Sequence, residues 1–180
     1  MLFKQGLLSK SILSLFALIF TLNLHAEMSY DLESASGQKY PTGPDQMMTP
    51  GKLCTTPTEK RYAEGIDYCE RNVTTDTKNA VIAAYDKQLG YQIRTMNRGD
   101  FKIDHFIPLS IGGANDTENL WPQHKSVYKY SDPLELQLSQ LMVAGRIKQA
   151  EAIKLIKDCK YNLPRCSEIS HSLSRISLDR

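Results

Sequence analysis

Asp104 and His105 stand side by side at the end of an alternating run, and Asn119 follows in the same compact stretch, Ile103 to Gln123. These are the residue types that phosphodiester hydrolysis needs. Histidine can take a proton from water because its unperturbed pKa lies near neutrality. A carboxylate such as Asp104 suits a hard divalent cation, which prefers oxygen ligands and can stabilise charge on the phosphate and the leaving oxygen. An amide at Asn119 can fix the intervening loop, or hydrogen-bond near the histidine and set its orientation and tautomer. Adjacent residues of a regular strand point to opposite faces, so Asp104 and His105 share a site only if the strand ends or bends there. Pro108 is consistent with such an interruption, and Gly112-Gly113 can turn the chain back on itself.

The elements around this stretch follow from periodicity and punctuation. Phe101 to His105 alternates with period two, as does Tyr91 to Thr95, with Asn97, Arg98, Gly99 and Asp100 as turn residues between them. A short strand from Asn119 to Gln123 is expected to return beside the first. Upstream, Thr75 or Asp76 can cap a helix over 76–89, with Ala80, Val81, Ala84, Tyr85 and Leu89 at helical spacing and Gly90 as its stop. Downstream, Asp132-Pro133 reads as a helix start, Leu134, Leu138, Leu141 and Met142 form an apolar stripe, and Gly145 closes it. A further helix over about 147–158 carries Ile147, Ala150, Ile153, Leu155 and Ile156. Residues 54–72 read as irregular, with Tyr62, Ile66 and Tyr68 as buried anchors. The expectation is a single small α+β domain over 52–160, with an extended arm at 27–51 and a polar tail at 161–180, peripheral apart from Cys166.

Lys4 and Lys10 precede an apolar run from Ile12 to Leu24 that ends near the small residue Ala26, which is the anatomy of a cleaved signal peptide. The run falls short of the roughly 20 residues a membrane-spanning helix requires. Residues 1–26 are therefore read as a leader, giving an exported, periplasmic or secreted protein with no stable membrane association afterwards. The whole chain has 22 basic and 20 acidic residues. Removing Lys4 and Lys10, with no acid in the leader, leaves 20 of each and a formal net charge of zero. Strong non-specific nucleic-acid binders usually carry a positive excess, so any basic surface here must be local. All four cysteines, Cys54, Cys69, Cys159 and Cys166, lie beyond the leader, and no CxxC pair occurs. An even number in an exported chain reads as disulfides rather than zinc, with proximity favouring Cys54 with Cys69 and Cys159 with Cys166.

Asp104-His105, Ile107-Pro108-Leu109, Gly112-Gly113 and Asn119-Leu120, with 14 positions from His105 to Asn119, resemble the HNH endonucleases of the ββα-metal superfamily. With Trp121-Pro122-Gln123 added, the stretch looks like a subgroup of small secreted HNH-like proteins. The resemblance covers the motif alone. It implies a hairpin-helix core with additional helices, stapled by disulfides, in which His105 is the general base, Asp104 a metal ligand and Asn119 the brace of the hairpin. Magnesium or manganese is the implied metal, zinc less so. The family's third residue is normally a His or Asn about nine positions after the central asparagine, where this chain has Tyr128, a poor ligand for those ions. His124 or Glu135 can take that place if the connection is reshaped.

The plainer readings stand beside these. His105 can be a satisfied strand-end histidine, His124 a surface residue, and Glu135 a helix acid complementing the macrodipole. Trp121 is a core anchor first and a base-stacking residue second. Arg94, Arg98, Lys102, Lys125 and Lys129 flank the motif and can line a groove for phosphates or simply solubilise the surface. The expected function is a metal-dependent endonuclease of low sequence specificity, with DNA favoured over RNA by family analogy. The sequence names no inhibitor or other protein partner. The alternative is a degenerate HNH-like exported protein that binds or supports without catalysis.

Overall fold

The computed structural model describes residues 32–33 and 39–178; the leader read over 1–26 lies outside them. Two short antiparallel pairs come first, β1 (Leu32–Glu33) with β2 (Lys39–Tyr40) and β3 (Glu59–Arg61) with β4 (Ile66–Tyr68). The stretch 54–72, expected to be irregular, thus contains a hairpin. Ile66 is buried in it as foreseen, while Tyr62 and Tyr68 are half-buried.

Helix α1 (Thr75–Leu89) forms where its periodicity places it. The cap is Thr74, whose hydroxyl accepts from Thr77 N at 3.1 Å, and the stop is Gly90 in the left-handed region at φ 75°. The strand expected over Tyr91 to Thr95 is absent. The Asp86 carboxylate accepts from the backbone N–H groups of both Ile93 (2.8 Å) and Arg94 (3.1 Å), curling Ile93–Thr95 into a 3-10 turn with Ile93 buried. Donors bound to a side chain are lost to a sheet ladder.

Strand β5 (Phe101–His105) pairs instead with β6 (Leu120–His124), in antiparallel register from Phe101 opposite His124 to His105 opposite Leu120. The connection from Phe106 to Asn119 includes the tight Gly112-Gly113 passage. Gly112 has φ +94°, and a Cβ on Gly113 would meet Ile107 O at 1.8 Å, so neither position admits an ordinary side chain cheaply.

Helix α2 (Lys125–Val143) follows β6 directly. It does not begin at Asp132-Pro133; both residues lie inside it, and His124 is the cap, its ring nitrogen accepting from Ser126 N at 3.2 Å. A proline inside a helix removes one hydrogen bond. Buried Val127 and Ser131, the latter bound by Gln123 Nε2 at 3.0 Å, hold the preceding turns against the hairpin. Helix α3 (Gln149–Tyr161) runs a few residues beyond the expected stretch, and α4 (Leu163–Leu178) forms where a peripheral tail was expected. Cys166, Ile169 and Leu173 of α4 are buried with Leu138, Met142 and Ile156 in one apolar cluster. The tail reading fails because serines and charges between those positions mask a spacing of three and four residues.

A second cluster gathers Val81, Ile82, Tyr85, Phe101, Ile103 and Trp121 between α1 and the hairpin. Ile107 and Ile111 of the connection belong to the helical cluster, so the β5–β6 unit sits between the two cores. Both favoured disulfides are present, Cys54–Cys69 and Cys159–Cys166. Among the described residues no helix is long and apolar enough to cross a membrane.

Candidate functional site

Asn119 braces the connection between the two strands. Its Oδ1 accepts from Ile107 N at 2.8 Å, and its Nδ2 donates to Ile107 O and Ala114 O, each at 2.9 Å. The residue is wholly buried, and Phe106 N donates to its carbonyl at 2.7 Å. One side chain thus ties both limbs of the loop to the start of β6, whereas the His105 ring is bonded by Asn115.

His105 is 3% exposed, and its Nε2 lies 3.1 Å from Asn115 Oδ1. Burial pushes the imidazole down to about 4; the Asn115 hydrogen bond and the Asp104 charge oppose that shift, whereas Arg71 and Lys160 reinforce it. The ring is therefore neutral at pH 7, with a lone pair to offer.

Strand β5 keeps its pairing through His105 and ends there. The alternation consequently gives Asp104 a different set of partners. Lys160 of α3, with none of its side chain exposed, reaches Asp104 Oδ2 at 3.2 Å, Glu135 Oε1 at 2.6 Å and the carbonyl of His105 at 2.6 Å. Lys102, two residues before Asp104 and on the same face, contacts Asp132 at 2.8 Å and Asp104 Oδ1 at 3.6 Å.

Asp104, Asp132 and Glu135 together offer carboxylate oxygens within 4.8 Å of one another. Asp132 and Glu135 are three apart on α2, hence on one helical face. Burial raises the Asp104 carboxyl, but the charges of Lys160 and Lys102 outweigh it and hold the group below its ordinary value. Glu135 goes the other way, pushed up to about 7 by burial, with Lys160 opposing and Asp104 adding to the rise. Its buried Oε1 is held by the Lys160 charge without an aligned hydrogen bond.

The structure therefore brings Glu135 to Asp104, adds Asp132, and leaves His124 elsewhere. His124 caps α2 and stacks on Tyr40, ring centroids 4.0 Å apart. Tyr128, where the resemblance leads one to expect a metal ligand, lies under the Lys102 ammonium, 4.8 Å from ring centre to nitrogen. The flanking cations do not form one row. Lys102 joins the acidic cluster, Lys125 pairs with Asp100 at 2.8 Å, and Lys129 sits over the Tyr130 ring. Arg94 and Arg98 do share an open depression, with Asn79, Ile82, Ile93 and Met96. Arg98 also donates to Phe101 O at 2.6 Å. Trp121 is wholly buried, as a core anchor would be.

Three residues of the site escaped the sequence reading. Asp132 reads as a helix start beside Pro133, and Asn115 has no reading of its own within the motif stretch. Lys160 is one of several lysines on an amphipathic helix, and nothing local marks it as the buried one.

The donor set fits a hard divalent cation, being all carboxylate oxygen. Two ammonium groups offset the three acids, Lys160 from the interior on Asp104 and Glu135 and Lys102 from the outside on Asp104 and Asp132. Lys102 is the cation that can move aside, since 35% of its side chain is exposed. No family model matches the chain, and no curated protein or solved structure matches it either.

Proposed function

We propose that the chain is an exported, metal-dependent nuclease of the HNH type that hydrolyses nucleic-acid phosphodiester bonds, DNA in preference to RNA. One observation carries the reading. A neutral, buried His105 ends a strand whose preceding residue, Asp104, belongs to a three-carboxylate cluster, and the hairpin bearing both leads straight into α2, which supplies the other two acids. The two disulfides support export.

In this reading His105 accepts the proton of the attacking water, for which the neutral imidazole is the competent form. A phosphodiester drawn beside it adds negative charge and raises its proton affinity from the depressed resting value. Asp104, Asp132 and Glu135 hold the cation, and Lys160 keeps two of them in place from beneath. When bound, magnesium or manganese supplies charge stabilisation for the phosphoryl and departing oxygens. Asn119 keeps the loop closed so that His105 and Asp104 hold their positions at the strand end. Arg94 and Arg98 are the flanking cations best arranged to take backbone phosphates, because they are exposed and share one depression.

A second reading has its own support. Lys102 and Lys160 already pair with all three acids, and Tyr128 stands where the family carries a ligand, as expected of a degenerate HNH-like binding protein. Plasmid cleavage by the purified protein, with and without magnesium or manganese, separates the two. Metal-dependent nicking that disappears in a folded His105→Ala variant is the expected result. Intact DNA and RNA under every metal would leave the binding protein as the account.

A further inference from the structure

We propose that Asn115 is a positioning residue, which fixes His105 as the Nε2–H tautomer and leaves Nδ1 as the nitrogen that accepts the proton. Its catalytic meaning rests on the nuclease reading; the tautomer itself does not.

The orientation of the Asn115 amide is set by two backbone groups. Its Nδ2 lies 2.8 Å from Glu70 O, a carbonyl that can only accept. Asn72 N, which can only donate, lies 3.2 Å from Oδ1. Both contacts demand the same orientation, so the atom 3.1 Å from His105 Nε2 is the amide oxygen. That oxygen only accepts, and Nε2 must therefore carry the hydrogen. In a neutral imidazole the other nitrogen then has the free lone pair.

Asn115 is well placed to impose this choice because its loop is held from two sides. Cys54 N donates to Gly112 O and Ala114 N to Lys52 O, each at 2.9 Å, which fixes the chain just before Asn115. Glu70 and Asn72, which grip the amide, follow Cys69, and the Cys54–Cys69 disulfide joins these two holding segments. The charged groups around the ring are Arg71 from the same segment, Asp104 from β5 and Lys160 from α3. Carboxylates are the usual partners of a catalytic histidine; here a neutral amide fixes the tautomer without adding charge.

The test uses the full chain with both disulfides formed and its histidines labelled with nitrogen-15. Two-bond proton–nitrogen correlations are recorded at one neutral pH, with the His105 signals assigned by their loss in His105→Gln. A single Nε2–H pattern is expected in the parent. Asn115→Ala should shift it toward a mixture of tautomers while the thermal transition stays cooperative, and Asn115→Asp, which keeps the accepting oxygen, should restore it. On a DNA substrate kcat should fall about 10- to 100-fold in Asn115→Ala with KM little changed. An Nδ1–H pattern in the parent, or an Asn115→Ala spectrum identical to it, overturns the proposal. If the tautomer responds as stated and the parent cleaves no nucleic acid, the nuclease reading falls and the assignment of Asn115 stands.

Discussion

Lys160 Nζ lies 3.2 Å from Asp104 Oδ2 with no part of its side chain exposed, so a cation from α3 is sealed against the end of β5. The same ammonium holds Glu135 and the carbonyl of His105, and thereby joins the hairpin, α2 and α3 at one point. A buried ion pair is weak evidence of net stabilisation, but losing one partner strands the other charge. Lys160→Met should therefore lower unfolding free energy by about 3–5 kcal/mol in urea titration. Adding Glu135→Leu to that variant should recover part of the loss, because one stranded carboxylate is then gone. A Lys160→Met protein as stable as the parent would show that the ammonium does not neutralise these acids.

Asn119→Ala should cost about 3 kcal/mol or more, since it leaves Ile107 N, Ile107 O and Ala114 O buried without their partner. Asn119→Asp should cost at least as much, because it keeps the acceptor for Ile107 N but turns a carboxylate oxygen onto the two carbonyls that Nδ2 served. Equal midpoints in chemical denaturation for parent and alanine variant would contradict the bracing role.

Stability should fall as pH drops from 6.5 toward 4, through His105. Its unfolded value is 6.5 and its folded value about 4, so below 6.5 the unfolded chain gains a proton that the folded one refuses. This contribution is complete above 6.5 and is lost on acidification; the gap corresponds to about 3 kcal/mol. Glu135 acts with the opposite sign: its folded value near 7 exceeds its ordinary value of 4.5, so its contribution is present below 4.5 and fades as pH rises toward 7. Comparing the parent with His105→Gln cancels that opposing trend. The difference between the two stability curves should be flat above pH 6.5 and slope below it; a flat difference throughout would mean that His105 titrates normally.

The Cys54–Cys69 bridge closes a separation of 15 residues, and removing it with paired alanines should cost about 3 kcal/mol by loop entropy. Its site-level consequence is more specific. The His105 tautomer should become mixed in this variant, because the segments gripping Asn115 lose their covalent link. Removing Cys159–Cys166 should lower stability without altering that signature, since its bridge lies between α3 and α4.

How far the molecule could be read from its residues depended on whether the deciding contacts were local. The helix over 76–89, the strands from Phe101 and to Gln123, and both disulfide pairings rest on spacing and punctuation, which a sequence displays directly. Tyr91 to Thr95 misleads because Asp86, outside the alternating run, captures its donors. Asp132-Pro133 misleads because a strong start signal lies inside a helix held by burial of Val127 and Ser131. At the site, His105, Asp104 and Asn119 lie within one motif, and the resemblance drew attention to all three. Asn115 was in view but its role depends on Glu70 and Asn72, and Lys160 meets Asp104 across 56 positions of chain. No period or spacing encodes such a meeting.

Lys102 supplies the last prediction, because it occupies the face of the cluster that a divalent ion would need. Its ammonium is 2.8 Å from Asp132 and 3.6 Å from Asp104 Oδ1, on a side chain partly open to solvent, whereas Lys160 grips the opposite oxygen from the interior. Partly exposed pairs contribute up to about 1 kcal/mol, so removing this competitor should tighten divalent-ion binding by no more than about fivefold. Calorimetric titration of manganese into Lys102→Ala should show that gain, while Asp132→Asn should show a loss. Because Lys160 remains in both proteins, the comparison isolates the outer position of the cluster. Manganese binding unchanged in both variants would place the ion away from Asp104 and Asp132 and leave those acids with a structural role beside their two lysines.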